Sequence, residues 1–152
     1  MGFIFIREVT RLYSKAMLDF DQCQAAMNAM IAECKEHSDW PPVVMAIVDD
    51  IGSLLSYART DRAHLPITRN AIKKAYTAAV NGKTSEAYAE GMKARGWSVS
   101  DMGDPMLISV PGGIPVVNTK DDAVLGGIGV AGLPAGPGDD DLALLGLKAM
   151  NL

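Results

Sequence analysis

Arg59, Asp61, His64, Lys73 and Lys74 are the residues in this chain whose types and spacing most readily suggest chemistry. The Arg59 guanidinium offers a planar fork of donors that matches a carboxylate. A partly buried Lys74 would add a point charge, or act as a base if burial lowers its pKa. If Pro66 turns the chain back, these groups converge on one rim. The rim then forms a pocket for an anionic ligand, with Lys74, Asp61 and His64 as acid–base candidates. The same residues also read as structural ion pairs, Arg59 with Asp61 or Lys74 with an aspartate, because ion-pair networks perturb sites without catalysing anything. Lys73 reads better in that second way. His64 is one of two histidines and the candidate metal ligand, since neutral imidazole is the commonest one and loops beside a scaffold carry function. His37, at a helix end, reads as a charge that compensates the helix dipole.

The glycine-punctuated stretch from Gly112 to Gly132 is the second feature. Gly112 and Gly113 expose backbone N–H groups that could hold a carboxylate, or simply turn the chain into a strand. Gly126, Gly127 and Gly129 superficially suggest a phosphate loop. A dinucleotide fingerprint needs G-x-G-x-x-G between a strand and a helix, and here the glycines lie within a strand pattern. Glycine inside a strand marks a bulge or a close backbone approach. The missing side chains therefore leave room for a flat ligand or a neighbouring subunit. Asp139, Asp140 and Asp141 are consecutive, so on a helix they diverge and cannot share a cation; helix capping is the better account.

These groups must be positioned by elements the sequence also predicts. Residues 21–37 read as an amphipathic helix capped by Asp19 or Asp21. Residues 43–59 read as a β-hairpin whose first strand, Val43 to Val48, is apolar throughout and so covered on both faces. Residues 67–81, entered through Pro66 and ended by Asn81-Gly82, form a helix with a small-residue face at Ala71, Ala75 and Ala78. Thr84 caps a third helix, 85–95. Met106 to Val110 is a candidate strand, followed by strands 114–118 and 124–131 and a closing helix 139–150. Residues 3–18 are ambiguous, with Phe3 to Ile6 a possible short strand. The order predicts an α/β (α+β) fold with a mainly antiparallel sheet covered by helices, as one domain over residues 1–152.

Composition narrows the function classes. The chain has 152 residues, 49% hydrophobic and 21% charged, with a net charge of -4. That suits one globular domain and argues against disorder. An acidic chain without a clustered Lys/Arg run predicts no nucleic-acid partner. No apolar run approaches the about 18–20 residues of a membrane span, and the N-terminus has neither a basic start nor a cleavage site. The expectation is a cytoplasmic protein with no membrane partner. Cys23 and Cys34 fit no zinc or disulfide spacing and read as small core residues.

Three segments carry a further signal: Ile47 to Asp61 (IVDDIGSLLSYARTD), Ala71 to Ala79 (AIKKAYTAA), and Gly112 to Val117 followed by Leu125 to Gly132. Together, in this order, they resemble the GlcG/HbpS-like family, which includes the C-terminal domain of PduO-type cobalamin adenosyltransferases. The resemblance runs from about residue 20 to 150. It implies a profilin-like central antiparallel sheet and a homo-oligomer, tetramer or octamer. Two departures stand out. Ile51 occupies a position where a second glycine is usual, and Arg62-Ala63-His64 replaces a stretch that is usually small and neutral.

The resemblance implies a small-molecule-binding protein, with haem or a related tetrapyrrole as ligand or cofactor. In that reading Arg59, His64, Lys74, Gly112 and Gly113 are the ligand-binding residues. A second reading is a catabolic enzyme (isomerase, lyase or hydrolase) acting on a small organic acid held by Arg59, Lys74 and the Gly112-Gly113 turn. A third is a structural or sensory oligomer without a ligand, whose glycine strands pack against a sister subunit.

Overall fold

A computed structural model describes residues 14–134 and 137–152. The expected short strand at Phe3 to Ile6 lies outside the described residues, and residues 14–19 carry no regular structure. Helix α1 (Phe20–Glu36) begins at Asp19, whose carboxylate accepts the Gln22 N–H while the Gln22 side chain accepts the Asp19 N–H. This reciprocal pair satisfies two otherwise unpaired backbone donors. His37 ends the helix, stacked on Trp40 with ring centres 4.2 Å apart and 3.1 Å from Glu33.

Strands β1 (Val44–Asp49) and β2 (Leu54–Arg59) form the predicted hairpin. Helix α2 (Leu65–Asn81) carries Pro66 in its first turn, where a missing N–H costs nothing, and ends on left-handed Gly82. Helix α3 (Ser85–Ala94) is capped by Thr84, whose hydroxyl accepts the Ala87 N–H. A short 3₁₀ turn, Val99–Met102, follows. Strands β3 (Gly113–Val117) and β4 (Val124–Ala131) and helix α4 (Pro137–Ala149) complete the chain.

The four strands form one antiparallel sheet in the order β2-β1-β4-β3. The observed fold is thus the expected α+β arrangement, with β1 and β4 central. Side chains alternate across the sheet. On one face Met45, Ile47, Ile128 and Val130 pack with Met27 and Met30 of α1 and Leu142 of α4. On the other, Val44, Ala46 and Val48 meet Ala71, Ala75 and Ala79 of α2. The all-apolar run of β1 follows from this double cover.

Two expectations change. Met106 to Val110 is not a strand. Its backbone is satisfied by helix side chains instead: the Ile108 N–H donates to Thr77 Oγ1 at 3.0 Å, and the Ser85 hydroxyl donates to the Val110 carbonyl at 2.8 Å. An apolar run whose ladder groups already have partners has no need of a neighbouring strand. The glycines of β4 also leave no room for a flat ligand or a sister subunit. A Cβ at Gly129 would come within 2.5 Å of the Ala75 amide nitrogen and closer still to the Ala71 carbonyl oxygen. At Gly127 and Gly129 the missing side chains admit the backbone of α2, and at Gly126 they admit the Val48 carbonyl and Leu18.

Candidate functional site

Lys74 lies on the sheet-facing side of α2, because small neighbours bring that helix close to β4. Its ammonium, on a residue only 3% exposed, donates to Asp139 Oδ2 at 2.6 Å and to the Val130 carbonyl at 2.8 Å. Asp139 also accepts the Leu133 N–H at 2.9 Å. Burial pushes the Asp139 carboxyl above the ordinary carboxylate range, and the Lys74 hydrogen bond and charge pull it part of the way back. Asp140 is likewise pushed up, chiefly by burial, while the neighbouring Gly112 N–H and the Lys74 charge pull it part of the way back. Asp139 therefore anchors α4 to the sheet and to α2, a role beyond the capping that its position suggests.

The Gly112-Gly113 turn belongs to the same cluster. A Cβ at Gly112 would stand 2.9 Å from the Lys74 ammonium, and its φ of +110° is one that glycine alone adopts readily. The Gly113 N–H donates to Ser85 Oγ at 3.0 Å. The Gly113 backbone donor expected to hold a ligand carboxylate is thus used by the protein's own Ser85, and the Gly112 turn is filled by Lys74 and Asp139. Lys74, Gly112 and Gly113 come together as expected, but as a sealed internal ion-pair site.

Arg59 does not join them. It pairs with Val44 at the edge of the sheet, and Val44 pairs in turn with Ala131. Two strand spacings, about 10 Å, separate Arg59 from β4. Arg59 and Asp61 border a cavity of about 300 Å³ against Ile31 and Cys34 of α1. Asp61 and Arg62 border another of about 360 Å³ beside His37 and Trp40. Among the described residues no ion pair joins Arg59 to Asp61. Lys73, half-buried on α2, makes none either. The organic-acid pocket built from Arg59, Lys74 and the turn is therefore not assembled: Arg59 stands apart, and Lys74 is already paired with Asp139.

His64 remains open. It is the N-cap residue of α2, exposed, and its side chain makes no capping hydrogen bond. Arg62, two residues earlier, holds a left-handed φ of 65°. A non-glycine residue there carries modest strain and sits most often at functional or tight-turn positions. This stretch thus carries an exposed imidazole at His64 and exposed guanidiniums at Arg59 and Arg62. Among the described residues no three His, Cys, Asp or Glu side chains group as a metal centre, and no helix is long and apolar enough to cross a membrane. Both cysteines are free, with thiols pushed up mainly by burial.

One cavity was not foreseen. The segment after α3 borders an open cleft of about 740 Å³, lined by Trp97, Asp104, Leu107 and Ile108. The only prior signal was a tryptophan directly after the helix-ending Gly96.

Comparison with known proteins gives a consistent result. The family model described as haem degrading protein HbpS-like matches residues 18–148. The solved structure of HbpS is 28% identical, superposes with a TM-score of 0.77, and the match covers 90% of this chain and 92% of that one. A double mutant of Streptomyces reticuli HbpS is 26% identical at a TM-score of 0.77, covering 90% and 89%. The PduOC–haem complex, 23% identical with a TM-score of 0.77 over 90% and 96%, shares the fold. No curated protein sequence matches the chain.

Proposed function

The chain belongs to the HbpS-like family, and on that premise we propose that it binds haem or a related tetrapyrrole, with His64 as the residue that meets the metal. The observation that carries this reading is the His64 imidazole: exposed, at the head of α2, and committed to no capping bond. Histidine is the commonest proximal ligand to haem iron. The exposed residues of this stretch have the chemistry such a group would need. Arg59 and Arg62 offer guanidiniums suited to the anionic edge of a tetrapyrrole, as bidentate partners of carboxylates. The HbpS-like family and the haem-bound PduOC structure support the ligand class. A bound haem would supply redox-active iron; this chain's own residues would bind and orient it.

Haemin titration followed by absorbance tests the proposal. A saturable Soret shift is expected for the wild-type chain, and His64→Ala is expected to weaken it by at least about tenfold. The exposed position of His64 means that the variant keeps its fold, which circular dichroism checks. An identical Soret spectrum and affinity in His64→Ala would overturn the assignment of this residue.

A further inference from the structure

The 740 Å³ cavity after α3 has no role in the haem reading, since no histidine, cysteine or tyrosine borders it. Its size falls in the range of small-molecule sites. Trp97 is 56% exposed, a large aromatic surface left in water, and Leu107 and Ile108 continue the apolar wall. Three charged side chains also border the space: Glu90, Lys93 and Asp104. None of the three is in an ion pair with another described residue.

Asp104 is a built carboxylate. The Tyr76 phenol donates to its Oδ2 at 2.8 Å, and the Met106 N–H donates to its Oδ1 at 2.8 Å. A carboxylate has about four acceptor sites, so these two bonds fix its orientation and leave capacity for a ligand. An indole face attracts cations, and tryptophan does so best among the aromatics. With Glu90 added, the wall holds two carboxylates against the one ammonium of Lys93.

We propose that this cavity binds an organic ammonium ion bearing an apolar or aromatic group. The ammonium sits at Asp104, and the apolar group lies against Trp97, Leu107 and Ile108. Lys93 opposes binding from the rim. The site stands apart from His64 and does not depend on the haem reading.

Isothermal titration with 1-naphthylmethylamine and its anionic counterpart 1-naphthylacetate tests this. The amine is expected to bind saturably and at least about tenfold more tightly than the acid. Asp104→Asn keeps an acceptor for the Met106 N–H, turns an amide N–H toward the Tyr76 oxygen and removes the charge, and it should weaken the amine about tenfold; Trp97→Ala should do the same. Lys93→Gln should tighten the amine a few fold, and His64→Ala should leave it unchanged. Circular dichroism confirms that each variant is folded. Absence of saturable amine binding overturns the proposal, as does equal affinity for the acid. So does amine affinity unchanged in both Asp104→Asn and Trp97→Ala.

Discussion

Lys74→Ala is expected to destabilise the fold by about 3–5 kcal/mol, the cost of breaking a buried ion pair from one side. The substitution leaves the Asp139 carboxylate buried with only the Leu133 N–H as partner and orphans the Val130 carbonyl. The cluster joins α2, β4, the Gly112 turn and α4, so its loss loosens three connections at once. Urea unfolding of wild type and variant measures the difference. A cost below about 1 kcal/mol, the level of an exposed pair, would mean that the cluster is open to water.

The pH dependence of that cost follows from Asp139. Burial raises its folded pKa above the unfolded value despite Lys74. Such a carboxyl binds its proton more tightly folded than unfolded, so its contribution to stability falls as pH rises through that interval. Removing Lys74 takes away the groups that pull the pKa down and raises it further. The Lys74→Ala penalty is therefore largest near neutrality and shrinks as the pH is lowered and Asp139 takes up a proton. Lys74→Met combined with Asp139→Asn removes both charges while keeping an acceptor for Leu133, and it should recover more than half of the loss. A double variant no more stable than Lys74→Ala would locate the energy in hydrogen-bond geometry rather than in charge.

The same cluster marks the boundary of what sequence alone reveals. Local signals were readable. Asp19 caps α1, Pro66 and Gly82 bracket α2, and the turns of both hairpins carry their own residue types. The partner of Lys74 is 65 positions away, and no periodicity reports which of three aspartates will face inward. Met106 to Val110 has a strand's composition but finds its hydrogen-bond partners in Thr77 and Ser85, hydroxyls on two different helices. His64 and Arg59 were visible as residue types; that Arg59 sits two strands from Lys74 depended on sheet order, which pairing alone decides. The Trp97 cavity had only that tryptophan as a local sign, because Asp104 acquires its role from Tyr76, across the fold.

Gly129→Ala tests the other feature that sequence left open, what the glycines of β4 make room for. At Gly129 and Gly127 the answer is the backbone of α2: the new methyl group would come within 2.5 Å of the Ala75 nitrogen, and the neighbouring Gly127 already faces the Ala79 nitrogen at 3.0 Å from its own ideal Cβ position. Backbone held in a helix cannot swing aside as a flexible side chain does, so the whole of α2 must lift from the sheet. Lifting it thins the contact between Val44, Ala46 and Val48 and the alanines of α2, where every side chain is already short. The expected cost is about 3 kcal/mol, at the upper end for overpacking. Gly91→Ala is the matched control. Gly91 lies within α3 with nothing within 4 Å of its ideal Cβ position, so alanine there should stabilise by about 0.5–1 kcal/mol through helix propensity. Opposite signs in the two unfolding curves would establish that Gly129 is glycine to admit α2. A tolerated Gly129→Ala would show instead that α2 yields, and that the seam is looser than its spacing indicates.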